Sequence, residues 1–145
     1  MDEQIPVKLT AVQPRVEAGA SVFGEFKGPL HLQYEDGCAW TILRPFRWCG
    51  PDAAPVCYEV PEGFVTDFAS VPRFFWRLLP PTGKYGKAAV IHDFLYRTGA
   101  VPRAQADDTF YRAMLALGVI WPTRFTMWAA VRVFGWFAYC REGPK

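Results

Sequence analysis

The sequence predicts an α+β fold: a small antiparallel sheet from the N-terminal part of the chain, packed on about three main helices. Two patterns carry this reading. Short stretches between residues 30 and 60 alternate apolar and polar side chains and are separated by turn signals. Beyond residue 85 the alternation gives way to apolar residues at helical spacing, punctuated by Gly99, Pro102 and Gly118. The sheet is too small to stand alone, so both halves should share one core. The 145 residues then form a single domain: an arm over 1–20, a β-rich half over 21–67 and a helical half over 68–141. Hydrophobic residues make up 51% and aromatics 17%, which fits a folded chain and excludes disorder.

Taken in order, residues 1–20 are polar and interrupted by Pro6 and Pro14. Leu30-His31-Leu32-Gln33-Tyr34 alternates as a half-buried strand does, Asp36-Gly37 is a hairpin turn, and residues 38–44 supply the return strand. Pro45 and Gly50-Pro51-Asp52 break the sheet, which resumes over 56–60. His31 falls on the polar phase of its strand and reads as a surface residue. Pro61-Glu62-Gly63 makes the next turn. Ser70 is placed to cap a short helix through residues 74–77. Asp67 stands among apolar neighbours where sheet passes to helix; it is either a delivered functional group or an Asx-turn carboxylate.

The first main helix contains Ala88-Ala89-Val90-Ile91-His92-Asp93-Phe94-Leu95-Tyr96-Arg97. His92 and Tyr96 share a face, and Asp93 points roughly 100° further round. A His-Asp pair inside an apolar run suits a site where one group handles a proton and its neighbour a cation. The loop before it carries Gly83 and Gly86, whose carbonyls could approach that cation. A second helix runs from Pro102 to about Leu117. Asp107, Phe110, Met114 and Leu117 lie on its apolar stripe, so Asp107 points inward and needs a partner; His92 is the nearest candidate. The last helix, over 123–139, is apolar nearly all round. It is short for a bilayer and carries Arg132, so it reads as a buried core helix and the chain as no integral membrane protein. A buried Arg132 would pair with Asp67 or Asp93.

The stretch from Gly63 to Arg73, which includes Asp67 and Arg73, followed by His92-Asp93-Phe94-Leu95-Tyr96, resembles the phage and prophage proteins called domain of unknown function 1353. The resemblance runs from about Trp40 to Trp136 and implies a phage origin but no activity. More locally, His92-Asp93-x-x-Tyr96 with Asp107-x-x-Phe110 on the next helix is similar to secreted phospholipases A2, especially the short bacterial kind. That resemblance implies His92 as general base for water, Asp107 as its orienting carboxylate, Tyr96 in the same network and Asp93 as a calcium ligand. Ala89 stands where those enzymes place a disulfide cysteine, and their glycine-rich calcium loop is absent.

The functional expectation is a metal-assisted ester hydrolase with a lipid or other ester as substrate. Catalysis rests on His92, Asp107 and Tyr96, the metal on Asp93 and Asp67, with Arg132 and Arg73 completing the polar network. Calcium is the expected cation; one histidine without cysteine partners makes a poor zinc site. The alternative is a phage tail or virion component, or a binder of a host protein, in which these residues are a buried structural network. A net charge of +2 does not point to nucleic acid. Cys38, Cys49, Cys57 and Cys140 form no C-x-x-C pair. A Cys49–Cys57 bridge across a hairpin is conceivable, but four reduced thiols and a location in the host cytoplasm or virion are expected.

Overall fold

The structure is a computed structural model that describes residues 24–35, 39–51, 56–66 and 85–142, with side chains as far as residue 134. The arrangement is α+β. In chain order the described elements are β1 (Glu25–Lys27), β2 (Leu32–Tyr34), β3 (Trp40–Ile42), β4 (Phe46–Cys49), β5 (Cys57–Val60), β6 (Val65–Thr66), α1 (Gly86–Thr98), α2 (Arg103–Ala116) and α3 (Trp121–Glu142). The expected arm over 1–20 and the short helix over 74–77 lie outside the described residues.

The strands form two small antiparallel sheets rather than one, ordered β1-β4-β5 and β2-β3-β6. The strand pairing of the expected hairpin is present, with Leu32 facing Ile42 and Tyr34 facing Trp40, while its turn at Asp36-Gly37 lies outside the described residues. Strand β4 is the correction. Pro45 did not end the sheet, because it sits just before the first strand residue, where its missing N–H removes no ladder bond. Phe46 and Trp48 then point into the core while Arg47 and Cys49 are half-buried, the alternation of a one-sided strand.

Register decides the cysteines as well. Cys49 on β4 stands directly opposite Cys57 on β5, and the two form a disulfide with Cα atoms 4.1 Å apart. The expectation of four reduced thiols is therefore wrong for this pair. Chain spacing alone did not reveal that the hairpin register puts them face to face.

Helix α1 is the centre of the molecule. Every side chain from Ala88 to Tyr96 is buried, and the helix touches α2, α3, β5 and β6. Ile42, Phe46, Trp48 and Val60 from the two sheets and Phe110, Ala113 and Met114 from α2 share one core with it. Gly99 ends α1 in the left-handed region (φ 59°), where a side chain would be strained. The short link then brings α2 back alongside. Gly86, expected in a loop near a cation, instead opens α1.

α3 departs most from expectation. Met127, Ala130 and Val131 are buried, but Trp121 is 64%, Phe125 48% and Val133 65% exposed. It packs chiefly on α2 and more lightly on α1, and neighbours on one side can bury only one stripe of a helix.

A candidate His–Asp–Tyr site beneath two arginines

His92 and Tyr96 lie one turn apart on α1 and both address Asp107 on α2. His92 Nε2 is 2.9 Å from Asp107 Oδ1, and the Tyr96 hydroxyl donates to the same oxygen at 2.5 Å. All three residues are buried. The imidazole is held between rings, with its centroid 4.2 Å from that of Tyr96 and 4.9 Å from that of Phe110. The other oxygen, Oδ2, faces Arg132 Nη1 at 3.2 Å and Arg103 Nε at 3.8 Å. Arg103 also donates to the backbone carbonyl of Arg132, tying α2 to α3 above the carboxylate.

Electrostatics follow from this wiring. Burial alone would raise the Asp107 carboxyl. Hydrogen bonds from His92 and Tyr96, with the positive neighbours, outweigh it and hold the group below the ordinary carboxylate range. Burial raises the Tyr96 hydroxyl, and its bond to the Asp107 anion raises it further. Asp107 is thus an anion that only accepts, so the proton shared with His92 belongs on Nε2. In a neutral imidazole that tautomer leaves Nδ1 as the acceptor. Nδ1 is buried and has no hydrogen-bond partner among the described residues.

Asp93 turns the other way. Its Oδ2 accepts from the buried Thr66 hydroxyl at 2.7 Å, and its Oδ1 lies 3.3 Å from Arg97 Nε. Arg97 donates in turn to the backbone carbonyl of Val65 at 2.9 Å and sits over the Phe64 ring, which meets Phe94 edge-on. The turn at Gly63 (φ 82°) makes this possible by laying 64–66 beside β3, with Gly63 N donating to Ile42 O. The Gly63–Thr66 segment and the His92–Tyr96 segment are thereby bonded to each other.

As a calcium site the described residues offer little. Asp93 already has a hydroxyl and a guanidinium on its oxygens, and among the described residues no group of three or more His, Cys, Asp or Glu is placed to hold a metal. Asp67 and Arg73 lie outside the described residues.

The Arg132 expectation needs correcting twice. Its side chain is 44% exposed rather than buried, and its carboxylate among the described residues is Asp107 and not Asp93, with Asp67 lying outside those residues. The long side chain starts on the outer face of α3 and reaches inward across α2. Thr66, Arg97 and Arg103 were not singled out from sequence. Two of them carried a usable signal, since Arg97 is four residues after Asp93 and Arg103 four before Asp107, the spacing of helical ion pairs. Nothing local marks Thr66.

Comparison with known proteins now has a geometry to refer to. The family model described as "Protein of unknown function (DUF1353)" matches residues 40–131. The chain belongs to this family. The DUF1353 match takes in Thr66, His92, Asp93, Tyr96, Arg97, Arg103 and Asp107 and stops one residue short of Arg132. The uncharacterized protein y4jT of Sinorhizobium fredii is 37% identical over 116 residues, covering 76% of this chain and 34% of its own length. The chain thus spans about a third of that relative. No solved structure matches.

Proposed function

We propose that the chain is an ester hydrolase in which His92 is the general base, with Asp107 and Tyr96 holding it in place. The observation that carries the reading is the buried Nδ1 of His92, which has no partner among the described residues. A buried polar atom without a bond costs about 1–3 kcal/mol, and such atoms in native proteins call for a reason, catalysis among them. The ring is locked with Nε2 on the Asp107 anion, so Nδ1 is the free base. In the proposed step Nδ1 takes a proton from water as that water's oxygen bonds to the ester carbonyl carbon. The imidazolium is stabilised by Asp107, and the proton then passes to the departing alkoxide as the carbon–oxygen bond breaks. The local resemblance to phospholipases A2 supports an acyl ester as substrate. Assistance by calcium at Asp93 would require Thr66 or Arg97 to give way, so no step is routed through it.

A specific observation favours a second reading. His92 and Asp107 are both fully sealed from solvent, as expected of a polar network that fixes helix packing. In that case the chain serves as a phage or prophage structural protein, or as a binder of a host protein. The Cys49–Cys57 disulfide suits a place outside the reducing host cytoplasm, such as a virion.

The test is release of p-nitrophenol from acyl esters of increasing chain length, with and without calcium, by wild type and His92→Gln, beside a thermal melt of each. The hydrolase reading expects a loss of roughly 10²–10⁴ in rate with the melting temperature kept. No release above buffer by wild type, or equal release by both proteins, would overturn it.

A further inference from the structure

We propose that the outer face of α3 docks onto an anionic lipid surface. Ile120, Trp121, Phe125 and Val133 are 68%, 64%, 48% and 65% exposed, and Trp128 beside them is only partly buried. Trp121, Phe125, Trp128 and Arg132 fall at i, i+4, i+7 and i+11, which aligns them along one side of the helix. The rings form a continuous ladder. Trp121 stacks on Phe125 with centroids 6.0 Å apart, Phe125 meets Trp128 at 6.0 Å, and Trp128 meets Tyr111 of α2 edge-on at 6.3 Å. Single exposed apolar residues are ordinary, whereas a contiguous aromatic strip marks a contact surface.

Charge decides between occupants. Residues 103–134 carry four arginines and two aspartates and no lysine or glutamate. Arg112 is matched by Asp108, and one carboxylate, Asp107, serves both Arg103 and Arg132. Arg124 has neutral partners, the Val119 carbonyl and the Tyr111 ring. The described residues of α2 and α3 together therefore carry a surplus of positive charge beside the aromatic strip. A second copy of the chain would bring like charges together, which disfavours self-pairing. An anionic headgroup layer complements it. No helix among the described residues is long and apolar enough to cross a membrane, so α3 would lie along the surface, its rings in the interface and its arginines among the headgroups.

This inference stands apart from the reading of His92, and its test uses no substrate. The full chain is sedimented with vesicles of phosphatidylcholine alone and with about a third phosphatidylglycerol, at low and high salt, and binding is followed by tryptophan emission. Binding is expected on the anionic vesicles only and should weaken with salt. Trp121→Ser with Phe125→Ser should weaken it by about tenfold or more, while His92→Gln should leave it unchanged. Both substituted side chains are exposed, so the double variant should melt as wild type does. Absence of binding by folded wild type, or equal binding by the double variant, would overturn the proposal. So would a dimer in sedimentation velocity that the double variant disperses, because the face would then belong to a second copy.

Discussion

His92 and Asp93 are neighbours in the chain, yet they belong to two different networks on different faces of α1. His92 is joined to α2 through Asp107, which also collects Tyr96, Arg132 and Arg103. Asp93 is joined to β6 through Thr66 and to its own helix through Arg97. Both carboxylates are buried. The difference is in what the wiring leaves over: around Asp107 a ring nitrogen has no partner among the described residues, whereas the Asp93 cluster clamps one backbone segment to the helix. One network joins two helices, and the other joins the two halves of the fold.

The contrast can be broken at its strongest point first. Asp107→Ala should be the most damaging change, because it removes the acceptor for a buried histidine and a buried tyrosine and the carboxylate shared by two guanidiniums. Breaking a buried charge pair typically costs about 3–5 kcal/mol, and a denaturant melt should read a loss in that range. Phe110→Ala keeps every polar partner but empties the space against the His92 ring; about 3–5 kcal/mol is expected for such a cavity. If the Phe110 variant is severely destabilised and the Asp107 variant is not, packing rather than the network sets the geometry of this region.

On the Asp93 side, Thr66→Val removes one donor and leaves the carboxylate with Arg97. A cost of about 1–3 kcal/mol is expected, with His92-dependent ester release unchanged if the two networks are independent. A double-mutant cycle of Thr66→Val with Asp93→Asn should show coupling well above 0.5 kcal/mol. Arg132→Met should cost less than about 1 kcal/mol, because the pair is open to solvent on its arginine side. A loss of several kcal/mol would mean that Arg132 is part of the buried network after all.

The smallest effect lies in the pH dependence. Asp107 has a lowered folded-state pKa, so its contribution is present above the unfolded value of about 4 and is lost as pH falls through the folded one. Tyr96 is raised, and so is Tyr85, whose hydroxyl burial pushes up to about 12. Their contribution is complete below the unfolded value of about 10 and disappears as pH rises beyond it. Stability should therefore decline at both ends, and Tyr96→Phe should flatten the alkaline limb. An alkaline limb unchanged in that variant would assign it to other groups.

How much of this was legible depended on sequence distance. The Asp107 partner was readable because helix phase turned the residue inward and a short link returned α2 to α1. The Thr66–Asp93 bond joins residues 27 apart, and no periodicity reports on such a pair. Strand β4 was hidden by its proline, and α3 misled because its composition is apolar even at positions that are exposed, such as Trp121 and Val133.

The sequence by itself determined the α+β division, the helix ends at Gly99 and Gly118, and the inward phase of His92, Tyr96 and Asp107, because each follows from local backbone preference and the 3.6-residue repeat. Tertiary structure alone decided the split into two sheets and the pairing of Cys49 with Cys57. It also decided the assignment of Arg132 to Asp107 and which side of α3 faces water. These depend on which surfaces meet across the fold, and that is settled by competition among all the elements for one core.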